Sequence, residues 1–111
     1  MSLTQKKCVP CEGGISLISE NDAQQKLKEI PGWEIVDGGK WLERKMKFKN
    51  FVQALAFVNK IGEIAEDEGH HPDIGVGWGY CNIRVQTHAI GGLHENDFIL
   101  AAKINKAHGE K

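Results

Sequence analysis

One segment of this chain admits a single local structure. Asn50 stands ahead of an apolar stripe as a helix cap, Gln53 holds the reciprocal position of a capping box, and Gly69 follows as the residue that tolerates a left-handed stop. Between them Phe51, Leu55, Val58, Ile61 and Ala65 recur at helical spacing. The pattern predicts an amphipathic helix to about Glu68 with that stripe as its buried face. Such a face must be laid against another layer, so the remaining segments have to supply one.

They supply strands in pairs. Trp33-Glu34-Ile35-Val36 reads as a short strand, Asp37-Gly38-Gly39 as a turn, and Lys40 to Phe48 as a second strand. In the second, Leu42, Met46 and Phe48 share one face while Glu43, Lys45 and Lys47 take the other, as a sheet with one wet face requires. After the long helix, Ile74, Val76 and Trp78 alternate with Asp73, Gly75 and Gly77. Gly79 marks a turn or bulge, and Tyr80 to His88 alternates again with Cys81, Ile83, Val85 and Thr87 toward the core. Two further helices bracket these strands. Ser19-Glu20-Asn21-Asp22 matches a capping box ahead of Ala23, Leu27 and Ile30, with Pro31-Gly32 as the stop; the last helix, Glu95 to Ala107, uses Phe98, Ala101 and Ile104. The order α-β-β-α-β-β-α predicts an α+β fold, a four-stranded antiparallel sheet with helices packed on one face. Residues 18–111 are expected to form one domain, preceded by a flexible arm at 1–17.

At 111 residues the chain can bury a core without staples. Charged residues make up 26%, and the net charge of −1 gives no support for binding nucleic acid or an anionic membrane. No apolar run approaches the roughly 20 residues that span a bilayer. The start, MSLTQKKCVPCEGG, has no apolar stretch after its lysines, so it is no secretory signal and a cytoplasmic protein is expected. Three cysteines, Cys8, Cys11 and Cys81, argue against a disulfide framework. Cys8 and Cys11 have the spacing of half a zinc site or of a redox pair, yet no second pair of ligands follows. The plain reading is two thiols on the arm.

The chemistry-bearing feature is His70-His71-Pro72, read with His88. Imidazole serves as proton donor or acceptor near neutral pH, so several of them in one site can move protons in opposite directions. Pro72 biases His71 toward extended backbone. Glu66, Asp67 and Glu68 crowd the last turn of the long helix, where negative charge opposes the helix dipole and a protonated His70 or His71 would relieve it. Other readings remain open at this point. The histidines can be packing residues without chemistry. Metal binding by one of the pair with His88 and a carboxylate is a second reading, weakened because neighbours in extended backbone point apart. A serine hydrolase fits poorly, since Ser2, Ser16 and Ser19 all lie in or near the arm.

Taken together, Glu66, His70-His71-Pro72, Trp78, His88 and Asp97 at these spacings resemble the pterin-4a-carbinolamine dehydratase signature. Gly32-Trp33, Lys47-Phe48-Lys49-Asn50-Phe51 and Gly92-Leu93 carry the resemblance over about residues 19–107. It implies removal of water from 4a-hydroxytetrahydropterin to give quinonoid dihydropterin, in support of tetrahydrobiopterin recycling, with no metal or organic cofactor. It further implies His70 and His88 as acids at the hydroxyl, and His71 as a pterin-binding group and base. Pro72 and the backbone of Thr87, His88, Ala89 and Ile90 are expected to line the pterin pocket. Glu66 and Asp97 are supporting members: Asp97 can also close a capping box, and Glu66 can orient an imidazole. Trp33 and Trp78 are candidates to flank the ring. The chain departs from the family pattern at His94, where Ser or Thr is usual, and at Gly69 and Ala89. The family forms dimers and tetramers, so a homodimer or homotetramer joined through the sheet is expected, with Trp41 and Trp78 available for covering. The same fold serves in the family as a non-enzymatic coactivator or assembly module, and that alternative stands beside the enzyme.

Overall fold

The computed structural model describes residues 3–6, 8 and 17–109. Helix α1 (Glu20–Leu27) starts where Ser19 Oγ accepts the Asp22 N–H at 3.1 Å, satisfying one of the donors a helix start leaves orphaned. Ile30 lies beyond the helix, in the turn before Pro31, and is wholly buried there. Strands β1 (Glu34–Val36) and β2 (Trp41–Lys47) follow as a hairpin. Helix α2 (Phe51–Glu68) is capped by Asn50, whose side chain accepts the Gln53 N–H at 2.9 Å, and ends at Gly69 with φ 65°. Strands β3 (Asp73–Gly77) and β4 (Tyr80–Val85) form the second hairpin, and helix α3 (Glu95–Ala107) closes the fold.

The sheet is antiparallel throughout in the order β1-β2-β4-β3, so the two hairpins meet along β2 and β4. Their register pairs Leu42 with Val85, Arg44 with Ile83 and Met46 with Cys81. Leu42, Ile83, Val85 and Cys81 are fully buried, and Met46 nearly so, against Phe57 and Ile61 of α2 and Phe98, Ala101 and Ile104 of α3. The opposite face carries Glu43, Lys45 and Lys47 beside Arg84, Asn82 and Tyr80. This is the α+β arrangement expected, with wet and dry faces assigned as alternation requires.

A buried polar knot locks the first hairpin to α3. Asn105 Oδ1 accepts from Trp33 Nε1 at 2.8 Å and from Arg44 Nη1 at 2.5 Å, while its Nδ2 donates to the Pro31 carbonyl at 3.0 Å. Gly32 sits under the guanidinium with φ 91°; a Cβ there would lie 2.8 Å from Arg44 Cζ. Trp33 is thereby a core residue.

Two expectations are corrected. The buried face of α2 is Ala54, Phe57, Ile61 and Ala65: the expected Ile61 and Ala65 lie on it and Val58 packs against the core, but Phe51 and Leu55 are both 41% exposed, with Ala54 and Phe57 buried instead. The sheet and α3 meet the helix along a line displaced around its axis, and small Ala54 permits the close approach. Second, the described part of residues 1–17 does not stand off from the fold. A short 3-10 helix, Leu3–Gln5, packs on α3 with Leu3 only 3% exposed. Lys6 Nζ reaches Glu95 at 2.7 Å and the Cys8 N–H reaches Glu68 at 2.8 Å. This cover explains why α3 is buried well beyond one stripe, including Ile99, Leu100 and Ala102. Cys11 lies outside the described residues. Among the described residues no helix is long and apolar enough to cross a membrane.

Candidate active site

The left-handed turn at Gly69 reverses the chain as α2 ends, and the His70 N–H bonds back to the Ala65 carbonyl at 3.2 Å. The next residues run extended into β3. On the other side, β4 ends at Val85, and Gln86 and Thr87 lead into a 3-10 turn at His88–Ile90. The pairing of Asp73 with Arg84 puts these two exits at the same end of the second hairpin. Residues separated by 18 positions in the chain therefore face one cleft of about 290 Å³, lined by Gly69, His70, His71, Pro72, Asp73, Gln86, His88 and Ala89.

The three imidazoles have different surroundings. His70 is 5% exposed, and its Nε2 lies 2.6 Å from Asp97 Oδ1. Asp97, with no exposed surface, also accepts from Thr87 Oγ1 at 2.8 Å and from the His94 N–H at 2.9 Å. As a carboxylate it can only accept, so it asks His70 for the Nε2–H. One buried side chain thus caps α3, ties it to the end of β4 and orients the His70 ring. His94 completes the cap by accepting the Asn96 N–H on Nδ1 at 3.1 Å, the work a hydroxyl does at most helix starts.

His71 is exposed and pairs with Glu66 through Nε2 at 2.5 Å, one helical turn back on α2. His88 is exposed as well; its ring meets Trp41 edge-on at 5.7 Å, and its Nδ1 lies 3.4 Å from Gln86 Oε1. Its loop is clamped at the neck: Thr87 N–H donates to the Gly92 carbonyl at 2.9 Å, and the Thr87 carbonyl accepts from Ile90 at 3.2 Å.

The structure therefore brings His70, His71, Pro72, His88 and Ala89 to one cleft, with Asp97 behind His70 and Glu66 beside His71. Thr87 and Ile90 do not line it. Thr87 is buried, its hydroxyl committed to Asp97 and its backbone to the loop neck. Neither tryptophan expected at the ring lines the cleft. Trp33 is in the core, and Trp78 is 73% exposed at the β3–β4 turn, the far end of that hairpin. Gln86 and Trp41 were not singled out as site residues; alternation marks Gln86 as opposite in facing to Val85 and Thr87, and nothing local marks Trp41 as a neighbour of His88.

A roomier cavity of about 330 Å³ lies between α1 and the β1–β2 turn, against Ile18, Gln24, Ile35 and Leu93. It holds Glu20 and no imidazole, so it lacks the means for proton transfer in two directions. Among the described residues no three His, Cys, Asp or Glu side chains converge on a point a metal could occupy. Cys8, half-buried against Asn96, has its thiol pushed up to about 12, chiefly by burial and then by the Glu68 charge. At neutral pH it is a thiol and no nucleophile.

The model of the family described as pterin 4 alpha carbinolamine dehydratase matches residues 16–107. A protein of Methylococcus capsulatus, provisionally named a pterin-4-alpha-carbinolamine dehydratase, is 52% identical over 98% of this chain and 96% of its own. One of Halorhodospira halophila with the same provisional name is 52% identical over 95% and 96%. Among solved structures, the transcriptional coactivator/pterin dehydratase of Brucella melitensis superposes with a TM-score of 0.78 at 30% identity, covering 82% of this chain and 97% of that one. A pterin dehydratase-like protein described as a RuBisCO assembly factor of the alpha-carboxysome shares the fold at a TM-score of 0.64 and 24% identity.

Proposed function

The chain belongs to the pterin-4a-carbinolamine dehydratase family, and on that footing we propose that it dehydrates 4a-hydroxytetrahydropterin to quinonoid dihydropterin, in support of tetrahydrobiopterin recycling. One observation carries the reading: three imidazoles in three settings, one buried on a carboxylate, one open beside a carboxylate and one open against an indole, line a single cleft.

The reaction needs two proton movements. A proton is delivered to the C4a hydroxyl, the C4a–O bond breaks and water leaves. The N5–H proton is lost to a base while the nitrogen electrons form the C4a=N5 bond. One proton is given and one taken, so the catalytic set ends with as many as it began. Each positioned acid or base contributes typically ~10²–10⁴-fold. In this reading His70 and His88, which both line the cleft, act at the hydroxyl. His71, paired with Glu66, binds the pterin and receives the N5 proton. Asp97 is a positioning residue, holding His70 by its Nε2–H. Pro72 and Ala89 supply apolar wall for a flat ring, and Thr87 serves the site through Asp97.

The purified protein should accelerate carbinolamine breakdown over buffer, followed by absorbance, with a chelator leaving the rate unchanged. A folded protein giving no acceleration would transfer the case to a binding module. One observation favours that second reading: Phe51, Val52 and Leu55 leave an exposed apolar patch on α2, and the Brucella relative is described as a coactivator as well as a dehydratase. The same patch, together with the free edge of β3, supports a homodimer or homotetramer. An unpaired strand edge and an uncovered apolar face are both removed by symmetric pairing.

A further inference from the structure

We propose that Gln86 is the positioning residue of His88: it fixes the tautomer of that ring so that Nε2 is the atom that exchanges protons with the substrate. The inference rests on the dehydratase reading for its catalytic meaning, but its geometry stands alone.

The side-chain amide of Gln86 has two ends with opposite demands, and each meets a partner. Its Nε2 donates to the Lys40 carbonyl at 3.1 Å, across the end of the sheet. Turning the amide over would set its oxygen against that carbonyl, acceptor against acceptor. The anchor therefore decides that Oε1 faces His88, where it lies 3.4 Å from Nδ1. An amide oxygen can only accept, so the hydrogen between them belongs to Nδ1. In the neutral ring this leaves Nε2 as the acceptor, and in the charged ring Nε2–H is the second donor. Among the described residues nothing hydrogen-bonds to Nε2 of His88, whereas Nδ1 is engaged. At 3.4 Å the bond is long, as bonds of a site without substrate often are before they tighten.

The ring cannot swing away from Gln86 without leaving Trp41, which meets it at an interplanar angle of 67°. Trp41 is itself held, because the Arg84 guanidinium lies over the indole at 4.8 Å and is tied in turn to Asp37 and, through Nε, to Glu43 at 3.4 Å. The wet face of the sheet thus serves the site from behind. Asp37 and Glu43 hold Arg84, Arg84 backs Trp41, and Trp41 and Gln86 confine His88. His70 and His88 are set by different means: a buried carboxylate takes the Nε2–H of one, and an amide oxygen takes the Nδ1–H of the other.

Nitrogen-15 NMR of the imidazoles reads the tautomer directly and needs no substrate. Neutral His88, assigned by its loss in His88→Ala, should carry its proton mainly on Nδ1. Gln86→Leu keeps the bulk but removes the acceptor; the proton should then move toward Nε2, the form histidine favours in water. In turnover Gln86→Leu should lower kcat about 10-fold with KM within about 2-fold, a difference of about 1.4 kcal/mol in the barrier. A wild-type His88 protonated mainly on Nε2, or a tautomer unmoved in Gln86→Leu, would overturn the inference. Absence of dehydration alongside the expected tautomer pattern would sink the dehydratase reading alone.

Discussion

Asp97 sits at the crossing of structure and chemistry, and the two histidines of the pair differ because only one of them touches it. Removing His70 leaves a carboxylate with no exposed surface short of one hydrogen bond, and losing a buried hydrogen bond to a charged group costs about 1.5–3 kcal/mol. Removing His71 breaks an exposed pair with Glu66, worth roughly 0–1 kcal/mol. Both histidines sit in a loop, from which a similar small stability cost is expected for each; burial of His70 separates them. His71→Ala should melt within a few degrees of the wild type and lose about 10²-fold in rate. His70→Ala should lose rate and melting temperature together. Paired thermal melts and kinetics check this, and equal stability losses for the two would contradict the geometry.

At the scale of elements, the N-terminal segment is where local and long-range information part. The caps at Ser19, Asn50 and Gly69 were readable because cap and capped group lie within four residues. The seat of Leu3 on α3 was not, since contact between opposite ends of a chain leaves no local signature. The stripe of α2 falls between: the helix was legible, but which side faces inward depended on partners, and Ala54 and Phe57 displaced Phe51 and Leu55. Deleting residues 1–12 removes Leu3 from the core, at about 2–3 kcal/mol, and takes the Cys8 donor from Glu68, which keeps Lys103 at 2.5 Å. The melting temperature should fall while turnover per folded molecule at low temperature is kept, since the cleft is lined by other residues. Acid acts on the same strap. Bonding to Lys6, foremost, holds the Glu95 carboxyl below its usual range against some burial. Its contribution is full above the unfolded value of 4.5 and fades as pH falls through the lowered one. The deletion should therefore flatten the acid side of the stability curve, and loss of turnover in the folded truncated protein would show that the strap holds the site.

For the whole molecule, the sheet keeps two edges. β1 is three residues long, too short to invite much pairing, whereas β3 has five residues, two of them glycine. Phe51, Val52 and Leu55 lie uncovered on α2, Val52 at 73%. Light scattering at micromolar concentration should return at least twice the 12.3 kDa chain mass, and Val52→Glu should lower the mass if α2 takes part. A monomer in the unaltered protein would exclude pairing. The arrangement of layers was legible in the order of segments, because hairpins leave few ways to build one sheet. The meeting of His70 with His88 was legible only as a resemblance, because register, and not spacing along the chain, brings the hairpin ends together.

Closing the His88 loop at Thr87 and Gly92 separates its neck from its tip. The neck is held by backbone bonds and by a hydroxyl on Asp97, none of which involves the side chain of Ala89, yet Ala89 looks into the cleft. The tip is in effect a socket: side chains of other sizes can be set there to reshape the wall against which a ring lies, with the fold indifferent to the exchange. Ligand preference in such a scaffold can drift quickly while the three histidines stay put.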